Sequence, residues 1–162
     1  NAPEAGEMLV DGVQSEPIEL GRMEILREGS DGAILAYGNM VETAIEASDI
    51  LRQRGLHVEV VNARFVKPLD EELILELARR GAPIVTVEEA QRSAGFGSAV
   101  AELLQDREVD ARLVSIGIGD EFVQHAKPDI QHRATGLTAE AIAARVSEIL
   151  RTTTAVAMRP TA

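Results

Sequence analysis

The sequence has no cysteine and no tryptophan, and only 2% of its 162 residues are aromatic. The absence of cysteine excludes a disulfide framework, a thiolate metal site and a cysteine nucleophile. Because aromatic side chains are so few, a hydrophobic core has to be built from Val, Ile, Leu and Ala. A chain of this length can bury roughly 68–70% of its unfolded surface. We therefore expect one domain of ordinary size that needs no cross-link to fold.

Long apolar runs and an excess of basic charge are missing as well. No segment approaches the roughly 18 apolar residues of a transmembrane helix, and no charged leader followed by an apolar region opens the chain. Acidic residues number 27 and basic residues 16, giving a formal net charge of −11, whereas a nucleic-acid partner requires a basic face. These absences predict an acidic, cytoplasmic protein that binds neither nucleic acid nor a membrane.

Regular patterning covers the middle of the chain and is weak at both ends. Residues 1–16 carry Pro, Gly and acidic residues without periodicity, and position 1 is not Met. We therefore expect a fragment that begins in an interdomain linker or at the end of a preceding domain. Residues 17–28 predict a short hairpin or edge strand, which opens a domain over residues 17–151. Residues 152–162 are expected to form a frayed tail.

Within this domain, apolar segments of strand length alternate with segments of helical periodicity. Gly55 and Gly81 lie where helices are expected to end. Strand–helix–strand units form parallel sheets with right-handed crossovers. The predicted fold is therefore α/β, a three-layer sandwich with a mainly parallel sheet. The predicted strands cover residues 33–37, 58–62, 83–87 and 112–118, and the predicted helices about 41–51, 70–80, 98 to 105 or 107, and 138–151.

The central stretch from Val58 to Asp70 combines a β-branched strand, a turn and the start of a helix. Pro68 biases Lys67 away from the helical conformation, so we expect an extended turn. Asp70 is placed to cap the helix that follows, and Thr138 is placed to cap the last helix.

The loop Gly95-Phe96-Gly97-Ser98 precedes a predicted helix, so its backbone amides could bind an anion. A dinucleotide-binding fingerprint is excluded, because Val100 stands in place of the third glycine and the loop follows the third strand rather than the first. We favour a tight turn in which small residues let strand and helix pack closely, with an anion site as the alternative.

Glu88 and Glu89 end the third predicted strand, where ligands usually bind in open α/β sheets. Two carboxylates can act as acid and base when their environments separate their pKa values. Adjacent strand residues, however, point to opposite faces of the sheet. We therefore expect each glutamate to cap a helix or to lie at the surface.

The histidines do not suggest a metal site. His57 opens a strand and is expected to be exposed. Asp120, His125 and His132 lie in one connection, but their spacing matches no metal motif.

Two further polar residues, Ser98 and Arg64, are candidate functional groups. Ser98 lacks the nucleophile elbow and an identifiable base. Arg64 could hold a carboxylate or phosphate bidentately, but an ion pair to another domain or subunit is favoured. The residues alone therefore predict no catalytic, cofactor-binding or metal-binding residue in this chain.

Four segments nevertheless form a recognisable series, of which NARFVKPLD at residues 62–70 is the most specific. In order they are AILAYGN (33–39), VVNARFVKPLD (60–70), VTVEEAQRSAGFGSAV (85–100), and SIGIGDEFVQH (115–125) with GLTA (136–139). Together they resemble the C-terminal domain of the 1-deoxy-D-xylulose-5-phosphate synthases, thiamine-diphosphate enzymes of the transketolase superfamily. Two loops depart from the family pattern. Ala94 stands where the family usually has Gly, and the fourth segment lacks the usual Leu-Pro-Asp and His-Gly.

The resemblance implies what the whole enzyme does. It would condense pyruvate with glyceraldehyde 3-phosphate, release carbon dioxide and form 1-deoxy-D-xylulose 5-phosphate for isoprenoid, thiamine and pyridoxal synthesis. It would use thiamine diphosphate and magnesium and form a homodimer. In this family the ligands of cofactor, metal and substrate phosphate belong to the two preceding domains. Residues 1–16 would then end the pyrimidine-binding domain, and the present domain would be structural, packing on the preceding domains and the partner subunit, and inactive by itself.

Two other hypotheses stay open at this point. One is the corresponding domain of a 2-oxoacid dehydrogenase E1 β subunit, which has a similar turn before Pro-Leu-Asp. The other is a stand-alone regulatory module that binds a phosphate ligand at the Gly95–Ser98 loop.

Overall fold

The computed structural model describes residues 17–120 and 128–157. Strands and helices alternate along most of this part of the chain. In order, the elements are β1 (Glu24–Arg27), β2 (Gly32–Ala36), α1 (Met40–Gln53), β3 (Val58–Asn62), α2 (Glu71–Arg79), β4 (Ile84–Gln91), α3 (Phe96–Asp106), β5 (Leu113–Ile118), α4 (Pro128–Thr135) and α5 (Ala139–Ala157).

The strands form one sheet in the order β1-β3-β2-β4-β5. Strands β2 to β5 run parallel, and β1 pairs antiparallel with β3 at one edge. Helices α1 and α5 cover one face of the sheet, and α2 and α3 cover the other. This arrangement confirms the predicted α/β three-layer sandwich with a mainly parallel sheet. It also confirms the expected edge strand within residues 17–28.

The central strand β2 shows why its sequence is apolar without alternation. All five of its residues are buried. Ile34 packs in the cluster beneath α1 and α5, whereas Leu35 packs in the cluster beneath α2 and α3. Successive strand residues point to opposite faces, so a strand covered on both faces needs apolar residues at every position. The Ile34 and Leu35 side chains, both fully buried, each contribute about 1.5–3 kcal/mol on burial.

The predicted helix caps are confirmed. The Asp70 carboxylate accepts a hydrogen bond from the Leu73 amide at 3.2 Å, which caps α2, and another from the Met23 amide at 2.9 Å. The same side chain therefore joins the start of α2 to the segment that leads into β1. At the start of α5, the Ala141 amide donates to Thr138 Oγ1 at 3.3 Å.

Two predicted element ends were wrong by a few residues. Strand β4 continues past Val87 to Gln91, because Gln91 still pairs with Ile118 of β5. Helix α3 begins at Phe96 rather than Ser98, because a side chain in β4 caps it two residues earlier than expected.

The predicted tail over residues 152–162 was also wrong in its first part, since α5 continues to Ala157. Thr152 Oγ1 donates to the Ile149 carbonyl at 2.9 Å, and Arg112 donates to Thr152 Oγ1 at 2.7 Å. The bond from Arg112 attaches this part of the helix to the loop before β5. The rest of the predicted tail, like residues 1–16, lies outside the described residues.

Candidate functional site at the carboxyl edge of the sheet

The four parallel strands end at one edge of the sheet, which we call the carboxyl edge. Ligands of open α/β sheets usually bind there. Most of the candidate residues proposed from the sequence follow or end one of these strands: Arg64 after β3, Glu88 and Glu89 near the end of β4, and Ser98 at the start of α3.

Glu88 caps helix α3 from inside the protein. Its side chain is only 1% exposed. The carboxylate accepts hydrogen bonds from the amides of Phe96 at 2.8 Å and Gly97 at 2.9 Å. These amides are the unpaired donors at the positive end of the helix. The anion that this loop could bind is therefore already present, as a side chain of the same domain, and the predicted capping role of Glu88 is confirmed.

The glycines of the loop allow this close approach. A Cβ atom on Gly95 would lie 2.2 Å from Glu88 Oε2, and one on Gly97 would lie 2.3 Å from Ser115 Oγ and 2.6 Å from Thr86 Oγ1. No real Cβ packs at such distances. The expectation of a tight turn in which small residues let strand and helix pack closely is confirmed.

Glu89 points away from Glu88 and joins two other helices. Its Oε2 accepts from Asn39 Nδ2 at 3.1 Å, at the start of α1, and its Oε1 lies 2.8 Å from His132 Nε2 on α4. The hydrogen bonds from His132 and, to a smaller extent, Asn39 hold the pKa of the Glu89 carboxyl below its usual value. The two glutamates therefore do not share a site, as expected. Each is engaged with helices of its own domain.

Arg64 differs from expectation in its partner. Its guanidinium lies 2.6 Å from Glu24 of β1, so the ion pair is made within the domain rather than to another domain or subunit. The residue adopts a left-handed backbone conformation with φ of 55°, and its amide donates to Asn62 Oδ1 at 3.1 Å. The antiparallel edge strand supplies this partner, which the spacing of residues in the sequence could not predict.

The remaining candidates are dispersed. His57 is exposed at the opposite end of the sheet, as expected. Ser98 Oγ donates to the Arg92 carbonyl at 2.7 Å, a turn-stabilising bond and not a nucleophile–base pair. His125 lies outside the described residues. Within residues 17–120 and 128–157, no cluster of three or more His, Asp or Glu side chains could hold a metal ion.

A small open cavity of about 230 Å³ lies at the carboxyl edge. It is lined by Gln91, Arg92, Ser93, Ser98, Ile118 and Asp120. Pockets for small-molecule ligands usually measure about 300–1,000 Å³. Glu88 and Glu89 are bonded to helices of their own domain, so within the described residues this edge offers no free carboxylate pair for catalysis.

Sequence and structure comparisons identify the family. A family model described as "Transketolase, C-terminal domain" matches residues 21–142, about three quarters of the chain. The chain belongs to the transketolase C-terminal domain family. The resemblance inferred from the four segments is thereby confirmed.

Two curated relatives of this transketolase C-terminal domain carry the same name. A protein of Cyanothece sp. is 51% identical over 131 residues, and one of Rippkaea orientalis is 49% identical over 134 residues. These alignments cover 81% and 83% of this chain but only 21% of each relative. Both relatives are named 1-deoxy-D-xylulose-5-phosphate synthase. The chain thus spans about a fifth of the length of the curated relatives it matches.

Solved structures agree on the fold. A chain of a split-gene transketolase, described as an inactive β4 tetramer, matches with a TM-score of 0.77 and 38% identity, covering 83% of this chain and 44% of that chain. A Pichia stipitis transketolase in complex with xylulose 5-phosphate matches with a TM-score of 0.61 and 22% identity, covering 82% of this chain and 18% of that chain. The second likeness concerns the fold alone. Within the described residues, no helix is both long and apolar enough to cross a membrane.

Proposed function

We propose that this chain is the C-terminal domain of a 1-deoxy-D-xylulose-5-phosphate synthase and that it is structural, with no catalytic residue of its own. The observation that carries the proposal is the identity of 46–51% to eight curated relatives that all bear this name. The segment NARFVKPLD, which begins at the end of β3, agrees with this proposal.

The whole enzyme would condense pyruvate with glyceraldehyde 3-phosphate, using thiamine diphosphate and magnesium. Cofactor, metal and substrate phosphate would be bound by the preceding domains of the same polypeptide, and the enzyme would act as a cytoplasmic homodimer. The carboxyl edge of this domain supports a structural role. Its two glutamates bond to helices α1, α3 and α4, so they stabilise loops rather than present reactive groups.

The two alternatives receive less support. A stand-alone phosphate-binding module needs the amides at the start of α3, but Glu88 accepts hydrogen bonds from two of them. A domain of a 2-oxoacid dehydrogenase E1 β subunit would share the fold, yet the eight relatives cited above bear the synthase name. Retention of this chain by a dihydrolipoyl acyltransferase core in a pull-down would favour the E1 β hypothesis.

A domain exchange tests the proposal. Residues 17–151 of this chain replace the matching region of the Cyanothece sp. synthase, and formation of 1-deoxy-D-xylulose 5-phosphate is measured. We expect kcat within about tenfold of the parent, which corresponds to about 1.4 kcal/mol of activation free energy. A matched chimera that carries the Pichia stipitis transketolase domain, of similar fold but 22% identity, should lose the activity because its surfaces do not fit.

The isolated chain is assayed alongside the chimeras. We expect no product from it, with or without thiamine diphosphate and magnesium. Turnover by the isolated chain at the parent's rate, or a folded but inactive chimera with this chain, would contradict the proposal.

A further inference from the structure

The few aromatic residues of this chain occupy similar positions in the order of its elements. The sequence contains one Tyr and three Phe, and each follows the carboxyl end of a different parallel strand. Tyr37 comes directly after β2, Phe65 follows β3, Phe96 opens α3 after β4, and Phe122 follows β5 in sequence. Tyr37 and Phe96 stack with their ring centroids 5.9 Å apart. Phe96 is buried in the core, whereas Tyr37 and Phe65 stay partly exposed. Because exposed aromatic residues are enriched in protein interfaces, the edge that carries Tyr37 and Phe65 is a candidate contact surface.

We define the aromatic edge as three segments of this surface: 37–39, 65–67 and 90–94. Tyr37 and Phe65 are half-buried, whereas all five residues from Ala90 to Ala94 are exposed. The last of these segments has a fixed shape. Ala94 adopts a φ of 60°, and the Arg92 amide donates to the Ile118 carbonyl at 3.0 Å. A loop held in one conformation loses little entropy when a partner binds.

The charges of the aromatic edge point to an acidic partner. Lys67 and Arg92 are exposed, and within the described residues neither makes an ion pair. A Cβ atom on Gly117 would lie 3.1 Å from Arg92 Cγ, so the stem of Arg92 rests against β5 while its charge stays at the surface. Charges at the rim of an interface favour a partner surface of opposite sign.

The segment that leads into β1 lies at the same edge of the sheet. Strand β1 runs antiparallel to its neighbour β3, so it begins where the parallel strands end. The Met23 amide is bonded to Asp70, which caps α2 at this edge. Whatever precedes the domain therefore arrives beside the aromatic edge, and covalent attachment supplies an effective concentration in the millimolar range.

We propose that the aromatic edge is the surface on which this domain docks against the preceding domain of its own polypeptide, through a partner face with an apolar centre and acidic groups opposite Lys67 and Arg92. The proposal rests on the proposed function only in requiring a longer polypeptide. If the chimera of the domain exchange lost synthase activity, the docking proposal would still hold.

Hydrogen exchange in the full-length protein provides the test. Within the described residues no hydrogen bond is made by the amides of Gly38, Ser93 or Ala94, so these amides would exchange rapidly in an undocked domain. We expect docking to slow their exchange by about tenfold or more. The amides of Ala82 and Asp110, at the opposite end of the sheet, likewise make no hydrogen bond within the described residues and should retain the rates of exposed loops. Equally rapid exchange at both ends would overturn the proposal.

A pair of charge-reversal variants locates the contact. Lys67→Glu with Arg92→Glu should speed exchange at Ser93 and Ala94 about tenfold, because like charges then face each other across the interface. The matched control, Arg54→Glu with Arg79→Glu, makes the same charge change at the opposite end and should leave those amides unchanged. Equal effects of the two pairs of substitutions on exchange would contradict the proposal. So would protection that disappears on dilution, because a second copy of the chain would then cover the edge.

Discussion

The carboxylate of Glu88 accepts a hydrogen bond from the Phe96 amide at 2.8 Å, across the turn that joins β4 to α3. A helix start at the carboxyl edge of an α/β sheet is an ordinary place for an anionic ligand. Here a buried side chain of the preceding strand takes that place. The domain therefore has the topology of a ligand-binding α/β fold, but a carboxylate of the domain itself occupies the position at the start of α3 where an anionic ligand could bind.

Removing the charge of Glu88 should destabilise the domain. Hydrogen bonds to a charged group contribute about 1.5–3 kcal/mol each, and a buried donor left unpaired is costly. In Glu88→Gln the side-chain carbonyl can still accept a hydrogen bond from one of the two amides. The side-chain NH₂ group faces the other amide, and two donors cannot form a hydrogen bond. We expect a loss of about 2–3 kcal/mol in the free energy of unfolding, measured by urea denaturation.

Glu102→Gln is the matched control, since it makes the same change at an exposed position of α3, the helix that Glu88 caps. The substitution should change the free energy of unfolding by less than about 0.5 kcal/mol. Similar losses in the two variants would mean that the cap contributes little.

Gly97 should tolerate no side chain. A Cβ atom there would meet the hydroxyls of Ser115 and Thr86, and both are carried by strands. We expect Gly97→Ala to lower the free energy of unfolding by about 1–3 kcal/mol through overpacking. Gly119→Ala, where a Cβ atom would meet nothing within 4 Å, should change it by less than about 0.5 kcal/mol. A fully stable Gly97→Ala protein would show that strand and helix can separate at this point.

The sequence could predict the layers of this fold because each layer follows from local pattern. The apolar run of β2 and the cap at Asp70 depend on residues a few positions apart, and both were correctly anticipated. Contacts between distant elements were not predicted. The ion pair of Arg64 with Glu24 and the bond of Glu89 to His132 join residues about 40 positions apart, and no periodicity encodes such pairs. The positions of the aromatic residues were available in the sequence, but the observation that Tyr37, Phe65 and Phe96 each follow a strand end requires the strand ends to be known.

Ala94 occupies a backbone conformation that suits glycine. Its φ of 60° lies in the left-handed region, which costs an L-residue about 1–2 kcal/mol. Glycine removes this strain but loses more conformational entropy on folding, which costs about 0.5–1 kcal/mol. Because the strain removed exceeds the entropy lost, we expect Ala94→Gly to stabilise the domain by about 0.5 kcal/mol. Ala90→Gly, four residues earlier in β4, has no such strain to relieve and should destabilise by about 0.5–1 kcal/mol. The same sign for both substitutions in thermal unfolding would contradict this account.

The bond between Glu89 and His132 should make stability depend on acid pH. The pKa of Glu89 is lowered in the folded state, chiefly by His132 and then by Asn39. A carboxyl group of this kind stabilises the fold at pH values above its unfolded pKa, about 4.3 for Glu. It loses that contribution as the pH falls through its lower folded-state pKa. The stability difference between the native protein and Glu89→Gln should therefore shrink as the pH falls below about pH 4.

The control removes the groups that lower the pKa while keeping the carboxyl. In a protein with Asn39→Ala and His132→Gln, the further change Glu89→Gln should produce a difference that varies much less with pH, because the folded and unfolded pKa values of Glu89 then converge. Urea unfolding of all four proteins between about pH 3 and pH 7 gives both differences. If the pH dependence is equal in the two backgrounds, its source is another carboxyl group, and the contact between β4 and α4 contributes no acid sensitivity.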